Sequence, residues 1–209
     1  MSKYYSDTNL HNRTMILTGL GEVTAVPNVA VIHLGAETRG DNLVNVQGEN
    51  AQITQGIIQA LQRMGVNDIK TFQYSINKVY DYEDGRQIDR GYAVRNILEI
   101  RTSNLDRVGS IIDAAVNAGA NVVELISFDI SNREFYYQQA LNMAVMNAIK
   151  KAKSIAMNLG LSADPAPIKI TENSTPPIQP FFRQELAAAT PIMPGNIRIE
   201  ANVTVEFTF

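Results

Sequence analysis

Two periodicities alternate along this chain, runs of period two that read as strands and runs near 3.6 that read as helices, and their order recurs. Val29–Leu34 is apolar on both faces and predicts a central, covered strand extending to Thr38. A helix follows over Val44–Met64, with Val46, Ile53, Ile57, Ala60, Leu61 and Met64 on one side, and Gly65 closes it. Strands near Ile69–Tyr80 and Tyr92–Thr102 come next, joined by a hairpin whose tip is Asp84-Gly85.

The same order returns. Val122–Ile130 predicts a strand, and Glu134–Leu159 a helix that Gly160 closes, with Leu141, Val145, Ala148, Ile149, Ala152, Ile155, Ala156 and Leu159 as its core face. Strands at Ile168–Glu172 and Ile197–Phe209 complete this half, the latter alternating strictly from Ile197 to Thr208. The expectation is an α+β fold of tandem strand-helix-strand-strand repeats, about 29–102 and 122–209, with long helices packed on antiparallel sheet. A helix at 104–118 joins the copies, with Ser103-Asn104 as its cap, and residues 1–13 form a polar tail. Thr14–Val26 reads as an edge strand that bends at Gly19 and Gly21 before Pro27 stops it. Residues 174–195, rich in proline and holding Phe181-Phe182, are too long for an ordinary strand connection and read as an insertion in the second copy.

Composition then narrows the chemistry. The 209 residues, 45% hydrophobic, suffice for one sizeable core or two small ones. A formal charge of −3, from 18 basic and 21 acidic residues, lacks the basic surplus of a nucleic-acid binder. There is no cysteine, so neither a thiolate nucleophile nor a cysteine zinc site exists. No stretch has the roughly 20 consecutive apolar residues of a spanning helix. The polar start, Met1 to Asn12, has no apolar run of signal-peptide length, which points to the cytoplasm as written and to the periplasm if a signal has been removed.

Gly19–Asn28 (Gly-Leu-Gly-Glu-Val-Thr-Ala-Val-Pro-Asn), Arg90–Gly109, Ala118–Asp129 and the alanine-spaced helix ending Ala156-Met-Asn-Leu-Gly160 together resemble the SIMPL domain family, in order and from about Thr14 onward. The family is named for a eukaryotic signalling protein, and its bacterial members are mostly exported or periplasmic proteins of unsettled function. The resemblance implies an α+β fold and homo-oligomers, and it implies no catalytic residue and no cofactor. Asn28 stands where such proteins often have Asp.

Candidate chemistry is sparse. His33 lies in an apolar strand, where a hydrogen-bonded structural role outweighs that of a general base, and His11 lies in the polar tail. Asp81, Glu83, Asp84 and Asp89 lack the alternate-residue register of a calcium loop, so no metal site is expected. Gly19-Leu-Gly21 is followed by no helix and is not a dinucleotide fingerprint. Phe72, Tyr74, Tyr80 and the pair Tyr136-Tyr137 could line a ligand pocket but read first as core.

One pattern departs from a helix covered on one side. Met143, Met146 and Met157 fall opposite the core stripe, beside Lys150 and Lys153, so another surface should cover them. Phe181 and Phe182, or a second subunit, are the candidates. These five residues are the expected oligomer or partner contacts of a non-enzymatic, self-associating protein, for which the family resemblance alone suggests an envelope- or stress-related role; the alternative is a small-molecule or partner-binding module using the proline-rich arm.

Overall fold

A computed structural model describes residues 14–161, 164–173 and 194–209. The polar tail, His11 and nearly all of the proline-rich segment, with Phe181 and Phe182, lie outside the described residues. In chain order the elements are β1 (Thr14–Ala25), β2 (Val29–Gly40), α1 (Leu43–Arg63), β3 (Asp68–Glu83), β4 (Arg86–Thr102), α2 (Val108–Asn117), β5 (Val122–Asp129), α3 (Arg133–Asn158), β6 (Ala166–Glu172) and β7 (Ile197–Thr208). A short 3-10 turn at Leu105–Arg107 leads into α2. The α+β expectation holds: two antiparallel sheets each carry a long helix.

The chain divides into two compact units. The first is built from β2, α1, β3, β4, α2 and β5 and covers residues 26–131. Its sheet runs β3-β4-β2-β5, with α1 over β2 and β4. Ala30, Ile32, Leu34 and Ala36 of β2, Leu98 and Ile100 of β4, Ile57 and Leu61 of α1 and Ile111 of α2 form one buried cluster. The α1 stripe contains two buried polar residues that the sequence reading passed over, Asn50 and Thr54. Asn50 is buried and its Nδ2 donates to the carbonyls of Ala36 (2.9 Å) and Val94 (3.1 Å), while Thr38 Oγ1 donates to Val46 O at 2.9 Å. Together they tie the start of α1 to β2 and β4. Asp84 and Gly85 both take positive φ, +50° and +77°, as the tight hairpin turn requires.

The second unit holds β1, α3, β6 and β7, with sheet order β1-β7-β6. Ile197, Ile199, Ala201, Val203, Val205 and Phe207 of β7 are all buried, as their alternation requires. β1 is an edge strand as expected, and its glycines do not interrupt the ladder, since it pairs with β7 continuously from Thr14 to Ala25. Their purpose is steric. A Cβ on Gly19 would lie 2.0 Å from the Ala144 carbonyl oxygen, and one on Gly21 1.9 Å from that of Ala140. The helix therefore presents a row of alanines at every fourth position, Ala140, Ala144, Ala148, Ala152 and Ala156, all buried. This corrects the expected stripe: Leu141, Val145 and Ile149 only flank the row, and Ile155 and Leu159 are exposed. Approach this close admits nothing larger than a methyl group.

The strand at Val122–Asp129, assigned from sequence to the head of the second copy, pairs with β2 in the other sheet. The strand that pairs with β7 on its far side from β6 is β1.

Candidate interaction surfaces

β3 is an edge strand sixteen residues long, with neither proline nor glycine. Its register places Tyr74 beside Asn96 and Ile76 beside Val94, on the face that α1 covers over β2 and β4. Over β3 no described residue gives such cover, and Tyr74 (46%), Ile76 (40%), Tyr80 (45%) and Tyr82 (72%) are exposed. Reading Phe72, Tyr74 and Tyr80 as core is therefore corrected: strand propensity of aromatic residues identified the strand, but one helix cannot cover three strands.

Beyond the end of β2 the β3–β4 pair continues as a two-stranded arm. Lys78 Nζ lies 2.6 Å from Asp89 Oδ2 and 5.7 and 5.6 Å from the ring centres of Tyr80 and Tyr92. The hydrogen bond to Asp89 raises the Lys78 pKa. The same bond, with one from the Gly91 N–H at 2.8 Å, holds the Asp89 carboxyl below its ordinary value. Gly91 (φ +83°) could carry no side chain, since a Cβ there would sit 2.3 Å from Gly40 O. Asp81 and Glu83 share Arg90, at 3.4 and 2.7 Å. Asp81, Glu83 and Asp89 are thus tied to cations, and among the described residues no group of three or more His, Asp or Glu is arranged to hold a metal.

At the bulge in β3 the chain turns Phe72 to the other face, where it stacks on His33 with centroids 3.9 Å apart. His33 Nε2 is 3.3 Å from Glu99 Oε2, and the ring is almost wholly buried. A carboxylate and an aromatic face surround this imidazole, which makes it a brace between β2, β4 and β3. On the same sheet Arg95 bonds Glu124 and lies 3.7 Å from Glu37, and Arg101 lies 3.8 Å from Asp129.

In the second unit α3 lies over β1 and β7. Ile170 of β6 is in register with buried Val205, yet is 52% exposed because α3 does not extend over this strand. The hydroxyl of Tyr137 donates to Glu172, at the end of β6. Lys151 Nζ donates to Thr18 O at 2.8 Å and Asn147 Oδ1 accepts from Leu20 N–H at 3.2 Å, so long polar side chains flank the alanine row. Met143, Met146 and Met157 lie on the outward face of α3, at 51, 53 and 80% exposure. No described residue buries them, and Phe181 and Phe182 are outside the described region.

The shared feature that sequence reading missed is the bare strip on one edge strand of each unit, β3 and β6. Its signal was present as apolar alternation in Tyr74/Ile76 and Ile168/Ile170, but nothing local distinguishes a covered face from an open one.

A family model, SIMPL, described as a protein of unknown function (DUF541), matches residues 15–207. The 26 kDa periplasmic immunogenic protein of Brucella melitensis biotype 1 is 29% identical over 207 residues, which cover 91% of this chain and 82% of that protein. The uncharacterized protein YggE of Escherichia coli K12 is 26% identical over 144 residues, 68% of this chain and 58% of that protein. Among solved structures, an amidase of the hydantoinase/carbamoylase family from Burkholderia phymatum gives a TM-score of 0.24 at 14% identity, over 66% of this chain and 39% of that one. A likeness that slight bears on neither fold nor activity.

Proposed function

This chain belongs to the SIMPL family, and from that premise we propose that it is a non-enzymatic, self-associating protein of the cell envelope. The periplasmic designation of the Brucella relative supports the location. The observation that carries self-association is the uncovered strip: each unit lays one long helix over two strands and leaves apolar side chains of an edge strand, Tyr74 and Ile76 of β3 or Ile170 of β6, exposed beside an edge that no described strand pairs. The outward methionines of α3 add a second apolar surface. Static light scattering on purified protein tests the reading. A monodisperse multimer is the expected result; a monomer at micromolar and higher concentration overturns it.

The same reading takes the two units as copies of one strand-helix-strand-strand plan. Sheet orders β3-β4-β2 and β6-β7-β1 support this, since each sets the second strand of the plan at the edge, the third in the middle and the first beyond it. The second copy would then be split, its first strand preceding the whole of the other unit.

A further inference from the structure

We propose that β3 pairs antiparallel with β3 of a second copy of this chain, across a two-fold axis at Ile76; the inference rests on the self-association proposed above and names its contact. Natural sheets shield their edges with proline, glycine kinks or charges that interrupt pairing. β3 has neither proline nor glycine, its two bulges flank the regular run Gln73–Lys78 rather than interrupt it, and Lys78 is already engaged by Asp89. By contrast β6 is short and contains Pro167, and β1 contains Gly19 and Gly21. Among the described residues β3 is the longest edge strand, twice the length of β5 at the other edge of its sheet, and no described strand pairs with its outer side.

The strand is complementary to itself in one register. An axis at Tyr74 would set Lys70 against the partner's Lys78, like charges directly opposed. An axis at Ser75 would set Lys78 against the partner's Phe72, whose ring is turned to the opposite face by its stack on His33. An axis at Ile76 sets Lys78 against the partner's Tyr74, adding a third ring to the Tyr80 and Tyr92 rings already beside its ammonium group, and meets Ile76 with the partner's Ile76. Charge agrees with this choice. Asp81 and Glu83 share the single cation of Arg90, which leaves one negative charge over. In this register Lys70, held only at 3.7 Å by Asp68, comes beside the acidic end of the partner strand.

The chain has no cysteine, so each single-cysteine variant reports one contact. Facing residues of an antiparallel pair have Cβ atoms about 4.5–5.5 Å apart, close enough for a disulfide after a small adjustment. Under dilute oxidation Ile76→Cys should form a covalent dimer at least about tenfold faster than Ser75→Cys. Tyr74→Cys and Lys78→Cys should cross-link when mixed, and neither should do so alone. Ile76→Lys, which places two ammonium groups on the axis, should reduce the assembly by light scattering at unchanged melting temperature. A multimer in which Ile76→Cys cross-links no faster than Ser75→Cys, or which Ile76→Lys leaves at parent size, overturns this pairing while self-association stands. A parent protein that is monomeric overturns both.

Discussion

Gly21 and Ala140 mark the closest approach of helix to sheet in the second unit: a methyl group on Gly21 would sit 1.9 Å from the Ala140 carbonyl oxygen. The obstructing atom belongs to the backbone, so no side chain can rotate away, and the whole of α3 would have to rise from β1.

Gly21→Ala should therefore lower stability by about 1–3 kcal/mol, as overpacking does. Gly48 in α1 is the control, because its added methyl meets nothing within 4 Å. Gly48→Ala should raise stability by about 0.5–1 kcal/mol through reduced unfolded-state entropy. Urea midpoints of the two variants, shifted in opposite directions, check both.

Asn50 donates to one carbonyl on each of two strands. Asn50→Ala leaves Ala36 O and Val94 O without those donors at a buried position and should cost about 1–3 kcal/mol. Thr54→Val should cost less, since Thr54 Oγ1 reaches Asn50 Oδ1 only at 3.5 Å. Thermal melts of the two variants, side by side, give the comparison.

The Lys78–Asp89 pair sets a pH window for the arm. Asp89 has a folded pKa below its ordinary 3.8, so its contribution is present above that value and is lost as pH falls through the lower folded pKa. Lys78 has a folded pKa above 10.5, so its contribution is complete below 10.5 and is lost as pH rises through the higher folded pKa. Carboxyl NMR titration should give an Asp89 midpoint below that of a model peptide, and Lys78→Met should bring it back up.

The outward face of α3 gives the last expectation. Met143→Gln with Met146→Gln changes two half-exposed side chains outside the core, so the melting temperature should shift by no more than about 0.5 kcal/mol of stability allows. Sedimentation velocity should show a smaller assembly if this face is a contact. An unchanged sedimentation profile would remove these methionines from the interface and leave the strand edges to carry it.

Much of the fold was legible because local pattern and tertiary surroundings agree. β7 alternates from Ile197 to Phe207 and meets a helix on one face only, so period two maps directly onto burial. The cap expected at Ser103-Asn104 makes no side-chain capping bond, because a 3-10 turn precedes α2, whereas Asn42 and Asn132, which were not singled out, cap α1 and α3, each side chain accepting from a backbone N–H in the first turn. The core stripe of α3 was misread because hydrophobicity ranks Leu141 and Ile149 above alanine, whereas closeness to Gly19 and Gly21 ranks size first. That information lies more than a hundred residues away in the chain. The pairing of β5 with β2 was hidden for the same reason, since each strand reads alike whichever sheet takes it. The aromatic residues of β3 were assigned inward because nothing in the strand itself records how many strands a helix covers.

Where residues 26–131 begin and end, Asn28 and Ser131 close a small clasp. The Asn28 N–H donates to Asp129 O at 3.0 Å, its Nδ2 to Ser131 Oγ at 2.9 Å, and its Oδ1 accepts from the Ser131 N–H at 2.8 Å. The chain thus leaves this unit where it entered. Seen from β1 and α3, everything between them acts as a very short connector, because its two ends are pinned however much protein lies between. The loop-closure entropy that so long an excursion would otherwise impose on joining β1 to α3 is borne by the folding of the excursion itself. An asparagine at position 28 serves this closure as donor and acceptor at once, so the departure from the usual aspartate supplies a latch that a carboxylate could make only with the hydroxyl proton reversed.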